Sequence, residues 1–208
     1  MNGTAHAAVG AATGFVVANN FQADPATTFL FVGLGTVSSL IPDLDIDGKL
    51  RGKITLSSKL FQAVGQLIGI LMIAYSFYEG TDTTRYLGIG IGLGLIIIAS
   101  SIKQKHMLTI TGIGVIAGGV NLQEIWLILL GVYIFIASFT AHRSYTHSII
   151  GAIFFGFIAS KLELSLGVEG VYYTCLIGYV SHLVTDSKLL PFNKRGIKLF
   201  LPIWSKEI

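Results

Sequence analysis

Long runs of apolar residues dominate this chain, and short polar stretches separate them. Eight apolar segments can be marked, each bounded by charged or turn-forming residues: 5–17, 27–41, 60–78, 86–102, 107–120, 125–141, 149–159 and 171–184. A helix that crosses a membrane needs about 20 predominantly apolar residues. The third and fourth segments meet this length best, whereas the first, fifth and seventh are short. The pattern predicts a set of membrane helices.

The fourth segment carries glycine at every second position from Gly88 to Gly94. In water such a density of glycine disfavours a helix, and period-two alternation is also typical of membrane β-strands. The other segments are continuously apolar, however, and glycine allows helices to pack closely in lipid. We therefore predict an all-α fold: a polytopic membrane helix bundle that forms one domain over residues 1–208.

Composition supports a membrane location. Hydrophobic residues make up 52% of the 208 residues and charged residues only 12%, against about 25% charged in a typical soluble domain. A globule of this size cannot bury so much apolar surface, so lipid must solvate part of it. Cys175 is the lone cysteine, which excludes an internal disulfide. The N-terminus has no basic region before its first apolar segment, so no cleavable signal peptide is predicted.

The basic residues are distributed unevenly over the loops. If each segment crosses the membrane once, 12 of the 14 lysines and arginines fall on one side and only Arg85 and Lys161 on the other. The positive-inside rule places the basic side in the cytoplasm, which predicts a bacterial cytoplasmic (inner) membrane protein. Eight crossings fit this distribution, and six fit as well if two adjacent segments are omitted. Because topology accounts for the basic excess, membrane lipid is the expected partner and nucleic acid is not.

Four polar clusters lie at segment ends on this same side. His6 opens the first segment, residues 41–47 close the second, residues 142–148 join the sixth to the seventh, and residues 181–186 close the eighth. The side was assigned from the segments and the basic residues alone, so the agreement is independent of the histidines. Ionisable groups near a membrane are costly and mark functional sites. These clusters are therefore the candidate site.

The residue types and spacings in the clusters favour metal binding. Imidazole nitrogens and carboxylate oxygens are the usual ligands of zinc and other divalent transition metals. His182 and Asp186 stand four apart, which puts them on one face of a helix. Asp43 and Asp45 would point the same way in an extended stretch.

The histidines on either side of Arg143 complete this pattern. His142 and His147 bracket a predicted turn, which could bring both rings to one point. The clusters together supply more ligands than one ion needs, so about two or three divalent ions are expected, as in hydrolytic centres. Zinc is the first choice and manganese or magnesium the alternatives. Arg143 has the planar fork suited to a phosphate or carboxylate. His106 is read as an ordinary interfacial group and Asp47 as a turn or cap residue.

At these residues the chain resembles the YdjM-type inner-membrane proteins, described as LexA-regulated, metal-dependent hydrolases. The family pattern has an N-terminal His, a Pro-Asp-Leu-Asp run, a His-Arg-x-x-Thr-His-Ser motif, a late Ser-His-x-x-x-Asp, and a Gly followed by Leu-Phe/Trp-x-Pro. The matching positions are His6, 42–45, 142–148, 181–186, Gly196, Leu199, Phe200 and Pro202. The link over 188–194 is longer than in the family pattern. A more distant similarity of the family to zinc-dependent phospholipase C and P1-type nucleases implies phosphoester hydrolysis.

The favoured interpretation is a metal-dependent hydrolase with its site at the cytoplasmic interface. The predicted metal ligands are His6, Asp43, Asp45, His142, His147, His182 and Asp186. Arg143 and Asp45 are the predicted catalytic residues, and Thr146 and Ser148 are expected to orient ligands. A site at the lipid boundary favours a lipid-like or lipid-linked phosphoester as substrate. Two other classes stay open: a metal or proton transporter that uses the same residues, and a non-catalytic membrane regulatory protein.

Overall fold

The computed structural model describes residues 2–44, 57–141, 143–188 and 196–208. This part of the chain is all-α, with eight α-helices, two short 3₁₀ helices and no strand. The helices are α1 (Gly3–Asn20), α2 (Pro25–Ser38), α3 (Ser58–Glu79), α4 (Asp82–Ser101), α5 (Gln104–Leu122), α6 (Ile125–Ala137), α7 (Ile149–Leu166) and α8 (Val171–Asp186). Each helix overlaps one of the eight apolar segments, so the predicted all-α class is confirmed.

The end of α2 differs from the prediction. The helix ends at Ser38, and Ile41–Leu44 form a 3₁₀ helix instead of continuing it. Pro42 explains the early end, because a proline has no N–H for the carbonyl four residues earlier, here that of Ser38, and its ring clashes with that carbonyl in a continued α-helix. Asp43 therefore lies on a tight helical turn, and the extended geometry expected at this position is wrong.

Two other helix ends also differ from the predicted bounds. α6 ends at Ala137 rather than near residue 141, and the hydroxyl of Ser138 bonds to a carbonyl of the last turn, which competes with helix continuation. α7 continues past residue 159 to Leu166. It ends there because Gly167, at φ +64°, takes up the left-handed conformation of a helix cap, and its N–H donates to the Glu163 carbonyl.

Three of the helices in the described residues are long and apolar enough to cross a membrane: α3, α4 and α7. Shorter apolar helices are Pro25–Ser38, His106–Leu122 and Ile125–Ala137. This composition supports a helical membrane bundle. The number of crossings stays a prediction.

The chain divides into two compact units, residues 52–107 and residues 1–51 with 108–208; whether they form one domain stays a prediction. The smaller unit contains the α3–α4 pair. Gly69 and Gly92 meet there, and a Cβ at either position would lie 2.7–2.8 Å from the carbonyl oxygen of the other. Gly90 and Gly94 have open space instead. The alternation of glycines thus marks one packed and one open face of a helix.

In the larger unit, α1, α2 and α8 pack at very short distance. Gly10 of α1 and Gly35 of α2 face each other so closely that a Cβ on either would overlap the carbonyl oxygen of the other. Gly178 of α8 approaches Gly35 from another side, with 2.8 Å between its ideal Cβ and the Gly35 carbonyl oxygen. Phe31 and Tyr179 are fully buried nearby. These contacts bring together the helix ends that carry the candidate site.

Polar caps secure the helix ends far from that site. The Asp24 carboxylate accepts the N–H groups of Ala26 and Thr27 at 2.8 and 3.1 Å. The Thr27 hydroxyl and these backbone donors hold the pKa of Asp24 below its usual range. The Glu163 carboxylate likewise accepts the N–H of Tyr172 at 2.8 Å in the first turn of α8.

Gly35→Ala should destabilise the larger unit, since the added methyl group would meet backbone atoms of α1 that cannot move aside. We expect the free energy of unfolding to fall by about 1–3 kcal/mol, as for other overpacked cores. Thermal unfolding in detergent would measure the change. Gly33→Ala is the matched control on the same helix, because nothing lies within 4 Å of a Cβ there. Equal melting temperatures for the two variants would contradict the packing described.

Candidate metal centre

Five side chains with metal-binding groups converge at one end of the larger unit. They come from α1, from the 3₁₀ helices that follow α2 and precede α7, and from the last turns of α8: His6, Asp43, His147, His182 and Asp186. The three histidines are 0–1% exposed and Asp186 is 3% exposed. The Asp43 side chain is more accessible, at 18%. The cluster is therefore a buried polar site with one partly open side.

His182 occupies the middle of this cluster. Its Nε2 lies 3.2 Å from Nε2 of His147, 3.5 Å from Oδ1 of Asp43 and 3.8 Å from Oδ2 of Asp186. Its ring stacks on that of His6, with 3.9 Å between the ring centroids. Three neighbours thus present polar atoms to one nitrogen of His182, and the fourth stacks on its ring.

The tautomer of His182 follows from a backbone contact. Its Nδ1 is 2.7 Å from the carbonyl oxygen of Ser39, and a carbonyl can only accept, so Nδ1 carries the proton. Ser39 is the C-cap residue of α2, where carbonyls lack partners within the helix. In the neutral ring Nε2 is then a bare acceptor that faces two carboxylates.

His6 has the same arrangement. The Thr185 hydroxyl donates to the His182 carbonyl at 3.0 Å and lies 3.0 Å from Nδ1 of His6. Nδ1 of His6 therefore donates to that hydroxyl, which leaves Nε2 as an acceptor. This Nε2 is buried without a hydrogen bond from the described residues and lies 3.2 Å from Oδ1 of Asp186. A nitrogen and a carboxylate oxygen at this distance in a buried place suit a shared cation.

The described residues form two overlapping ligand sets, in each of which the ligand atoms lie within 4.8 Å of one another. One set is His6, Asp43 and His182, and the other is His147, His182 and Asp186. Because Nδ1 of His182 is bonded to Ser39, only Nε2 can bind a metal, and one nitrogen serves one ion. The three imidazoles and two carboxylates fit a divalent transition metal.

Two predicted ligands, Asp45 and His142, lie outside the described residues, and so does Asp47. The structure brings the other five predicted ligands together. Their role as ligands, and that of Asp45 in catalysis, stays a prediction.

Arg143 lies at the edge of the cluster. Its Nη2 is 3.2 Å from Oδ2 of Asp186, and its side chain is 25% exposed. Its backbone has a φ of +60°, a conformation that costs energy in a residue other than glycine and is enriched at functional sites. The guanidinium is thus held between the buried carboxylate and the open side.

The hydroxyls of Thr146 and Ser148 make different contacts. Thr146 Oγ1 lies 3.1 Å from Nδ1 of His147, as expected of a group that orients a ligand. Ser148 instead caps α7: its hydroxyl donates to the Tyr145 carbonyl at 2.7 Å and accepts from the Gly151 N–H. The expectation that Ser148 orients a ligand is therefore wrong for the described contacts. Serine is a preferred N-cap residue, and Ser148 directly precedes α7.

Sequence reasoning missed several supporting residues. Ser39 contributes its carbonyl to His182, and its hydroxyl donates to the His6 carbonyl at 2.9 Å. Tyr179 donates its hydroxyl to the Thr146 carbonyl and lies 2.9 Å from the hydroxyl of Tyr133. The position of Tyr179, three residues before His182, puts both on one helix face and could have indicated its role. A contribution from the Ser39 backbone leaves no signal in the sequence.

Fold and site together define an all-α membrane protein with a buried histidine and carboxylate cluster that could hold a metal ion. The chain belongs to the YdjM inner membrane protein family, whose match extends over residues 1–208. The predicted family is thereby confirmed. Neither the curated proteins nor the solved structures gave a significant match.

Tyr179→Phe should weaken metal binding by about tenfold, because the segment that carries His147 loses the hydroxyl that holds its Thr146 carbonyl. Titration of the purified protein with zinc against a competing chelator would measure the affinity. Tyr173→Phe, on the exposed side of the same helix, is the matched control. An unchanged affinity in Tyr179→Phe would show that this hydroxyl does not position the site.

Proposed function

We propose that the protein is a membrane-embedded, metal-dependent hydrolase that cleaves a lipid-like or lipid-linked phosphoester at the cytoplasmic face of the inner membrane. The observation that carries the proposal is the orientation of His182 and His6. Nε2 of each ring lies 3.2–3.8 Å from a carboxylate oxygen of Asp43 or Asp186, while Nδ1 lies within hydrogen-bond distance of Ser39 or Thr185. Such an arrangement suits a bound cation.

The described residues provide ligands for one ion, with His182 shared between two neighbouring positions. A second ion would draw on Asp45 and His142, which are the remaining predicted ligands. Zinc is the proposed metal, because histidine nitrogens and carboxylates in a compact buried set suit its coordination, and manganese or magnesium are the alternatives. When bound, the metal would supply a positive charge and a water acidified towards neutral pH.

The residues of the chain would then bind and orient the substrate. Arg143 lies on the partly open side, and its guanidinium would bind the anionic oxygens of a phosphoester and stabilise charge that develops there. Asp186 holds this guanidinium in place at 3.2 Å. The bonds to Ser39 and Thr185 hold His182 and His6 in the tautomers that can ligate. Asp45 remains the second proposed catalytic residue.

The cytoplasmic orientation is supported by the basic residues. Arg143 and the lysines of residues 49–59 and 188–206 flank the clusters that contain the ligands, as the positive-inside rule predicts for cytoplasmic loops. A substrate with an apolar part would reach this site from the membrane.

Two observations bear on the alternatives. The candidate ligands lie at the ends of their helices or just beyond them, whereas transporters commonly bind ions near the membrane midplane on broken helices. The burial of all three histidines does favour a second candidate, a non-catalytic regulatory protein whose metal has a structural role, since structural metal sites are closed.

The metal content of the purified protein distinguishes metal-binding histidines from ordinary interfacial histidines. We expect stoichiometric zinc or manganese in the detergent-purified protein and its loss from both His147→Ala and His182→Ala, because His182 belongs to both ligand sets and Nε2 of His147 lies 3.2 Å from that of His182. Mass spectrometry of the metal would measure this. His106→Ala is the matched control, as His106 is exposed, accepts the Lys103 N–H and belongs to neither ligand set. Metal retained in His182→Ala would refute the assignment.

Arg143→Lys should keep the metal and lower phosphodiester hydrolysis by about 100-fold, because lysine cannot replace the two-pronged guanidinium contact with a phosphate. The assay would compare kcat/KM for a chromogenic phosphodiester and for phospholipid micelles. Lys161→Arg, on α7 outside the cluster, is the control. A metal-loaded wild-type protein without hydrolysis would support the regulatory candidate, and equal rates for wild type and Arg143→Lys would exclude the role of the guanidinium.

A further inference from the structure

A chain of buried hydrogen bonds leads from α6 through α8 to the backbone beside a candidate ligand. The Tyr179 hydroxyl donates to the Thr146 carbonyl, and the Tyr133 hydroxyl lies 2.9 Å from the Tyr179 hydroxyl. Thr146 directly precedes His147, and its own hydroxyl lies 3.1 Å from Nδ1 of that histidine. The two tyrosines and the Thr146 carbonyl thus form a tyrosine relay that ends at the metal centre.

The direction of the tyrosine relay follows from the hydrogens available. A phenol has one hydrogen and a carbonyl can only accept, so the hydrogen of Tyr179 is used at Thr146. Tyr133 is therefore the donor in the contact between the two tyrosines. Successive hydrogen bonds polarise one another, and they are stronger inside a protein than in water. The Tyr133 hydroxyl thus strengthens the bond that Tyr179 makes to the backbone beside His147.

Packing of the aromatic rings holds both tyrosines in place. Tyr133 and Tyr179 are 5% and 0% exposed. The Phe155 ring of α7 stacks on Tyr179 with 4.9 Å between the centroids and meets Tyr133 edge-on at 6.4 Å. Because these contacts are made by the rings, a phenylalanine in place of either tyrosine would keep them and remove the hydroxyl alone.

The first turn of α7 leaves space for the bond to Thr146. A Cβ at Gly151 would lie 2.8 Å from the Tyr179 hydroxyl and 3.0 Å from the Thr146 carbonyl oxygen. A methyl group there would displace at least one of the two atoms that make the bond. The glycine therefore allows the helix after His147 to pass close to the tyrosine relay.

His147 needs support from outside its own segment. It ends the short 3₁₀ helix Tyr145–His147 and does not belong to an α-helix. Its Nε2 lies 3.2 Å from Nε2 of His182, and ligand distances in a metal site tolerate a change of only about 0.2 Å. A small shift of the backbone at Thr146 would therefore alter the position of this nitrogen enough to affect a bound ion.

We propose that Tyr133 is a positioning residue for the metal centre and acts through Tyr179 on the backbone that carries His147. The proposal rests on the metal centre of the proposed function and does not require hydrolysis. Without the Tyr133 hydroxyl, the bond from Tyr179 to Thr146 is weaker, and the nitrogen of His147 is held less accurately.

The test is the binding of cobalt(II) to the full chain in detergent, since the visible absorption of cobalt reports both affinity and coordination geometry. We expect Tyr133→Phe to weaken cobalt binding about threefold and to change the absorption spectrum, against about tenfold for Tyr179→Phe. The double variant should bind cobalt as Tyr179→Phe alone does, because Tyr133 acts only through the hydroxyl that this variant lacks.

Thr174→Val is the control for a general loss of stability. It removes another buried hydroxyl of α8, which donates to the Gly170 carbonyl at 2.9 Å. Thr174 precedes His182 by eight residues, roughly 12 Å along the helix at about 1.5 Å per residue. This variant should lower the melting temperature and leave both the cobalt affinity and the spectrum unchanged.

The outcomes separate the tyrosine relay from the metal centre itself. Equal cobalt affinity and spectrum in wild type and Tyr133→Phe would overturn the proposal, and so would effects of the two tyrosine substitutions that add in the double variant. A wild-type protein that binds no cobalt would instead refute the metal centre and, with it, any role of Tyr133 in positioning a ligand.

Discussion

The hydrogen bond from Nδ1 of His182 to the carbonyl of Ser39 is the contact on which the site depends. It satisfies a carbonyl that the end of α2 leaves without a helical partner, and it fixes the proton on the outer side of the ring. The inner nitrogen is then available to a cation beside Asp43 and Asp186. One bond thus joins two helices and determines the chemistry of the cluster.

Close helix packing makes that bond possible. Gly10, Gly35 and Gly178 allow α1, α2 and α8 to approach to backbone contact, which places His6 in a stack on His182. In lipid there is no hydrophobic force between helices, so such packing and polar contacts hold them together. The same closeness excludes water from the three histidines, which strengthens every electrostatic interaction in the cluster.

α8 has a polar face and an apolar face. His182 and Asp186 stand four residues apart on the face towards α1 and α2, whereas Val180 and Val184 repeat at the same spacing along an apolar groove between α7 and α8. A helical period of about 3.6 residues keeps the two faces apart over the length of the helix. The ligands of the candidate metal centre therefore lie on one face of α8 only.

The sequence by itself determined the eight helices, because uninterrupted apolar runs in lipid must satisfy their own backbone, and the His182–Asp186 pair, because helical spacing is local. It also indicated that the polar clusters lie close together, because the loops that carry them were assigned to the same side of the membrane. Only the tertiary structure decided the 3₁₀ turn at Asp43, the capping role of Ser148 and the support from Ser39 and Tyr179. These features depend on which backbone carbonyls are left unpaired and which helices are in contact. Neither can be inferred from a local sequence pattern.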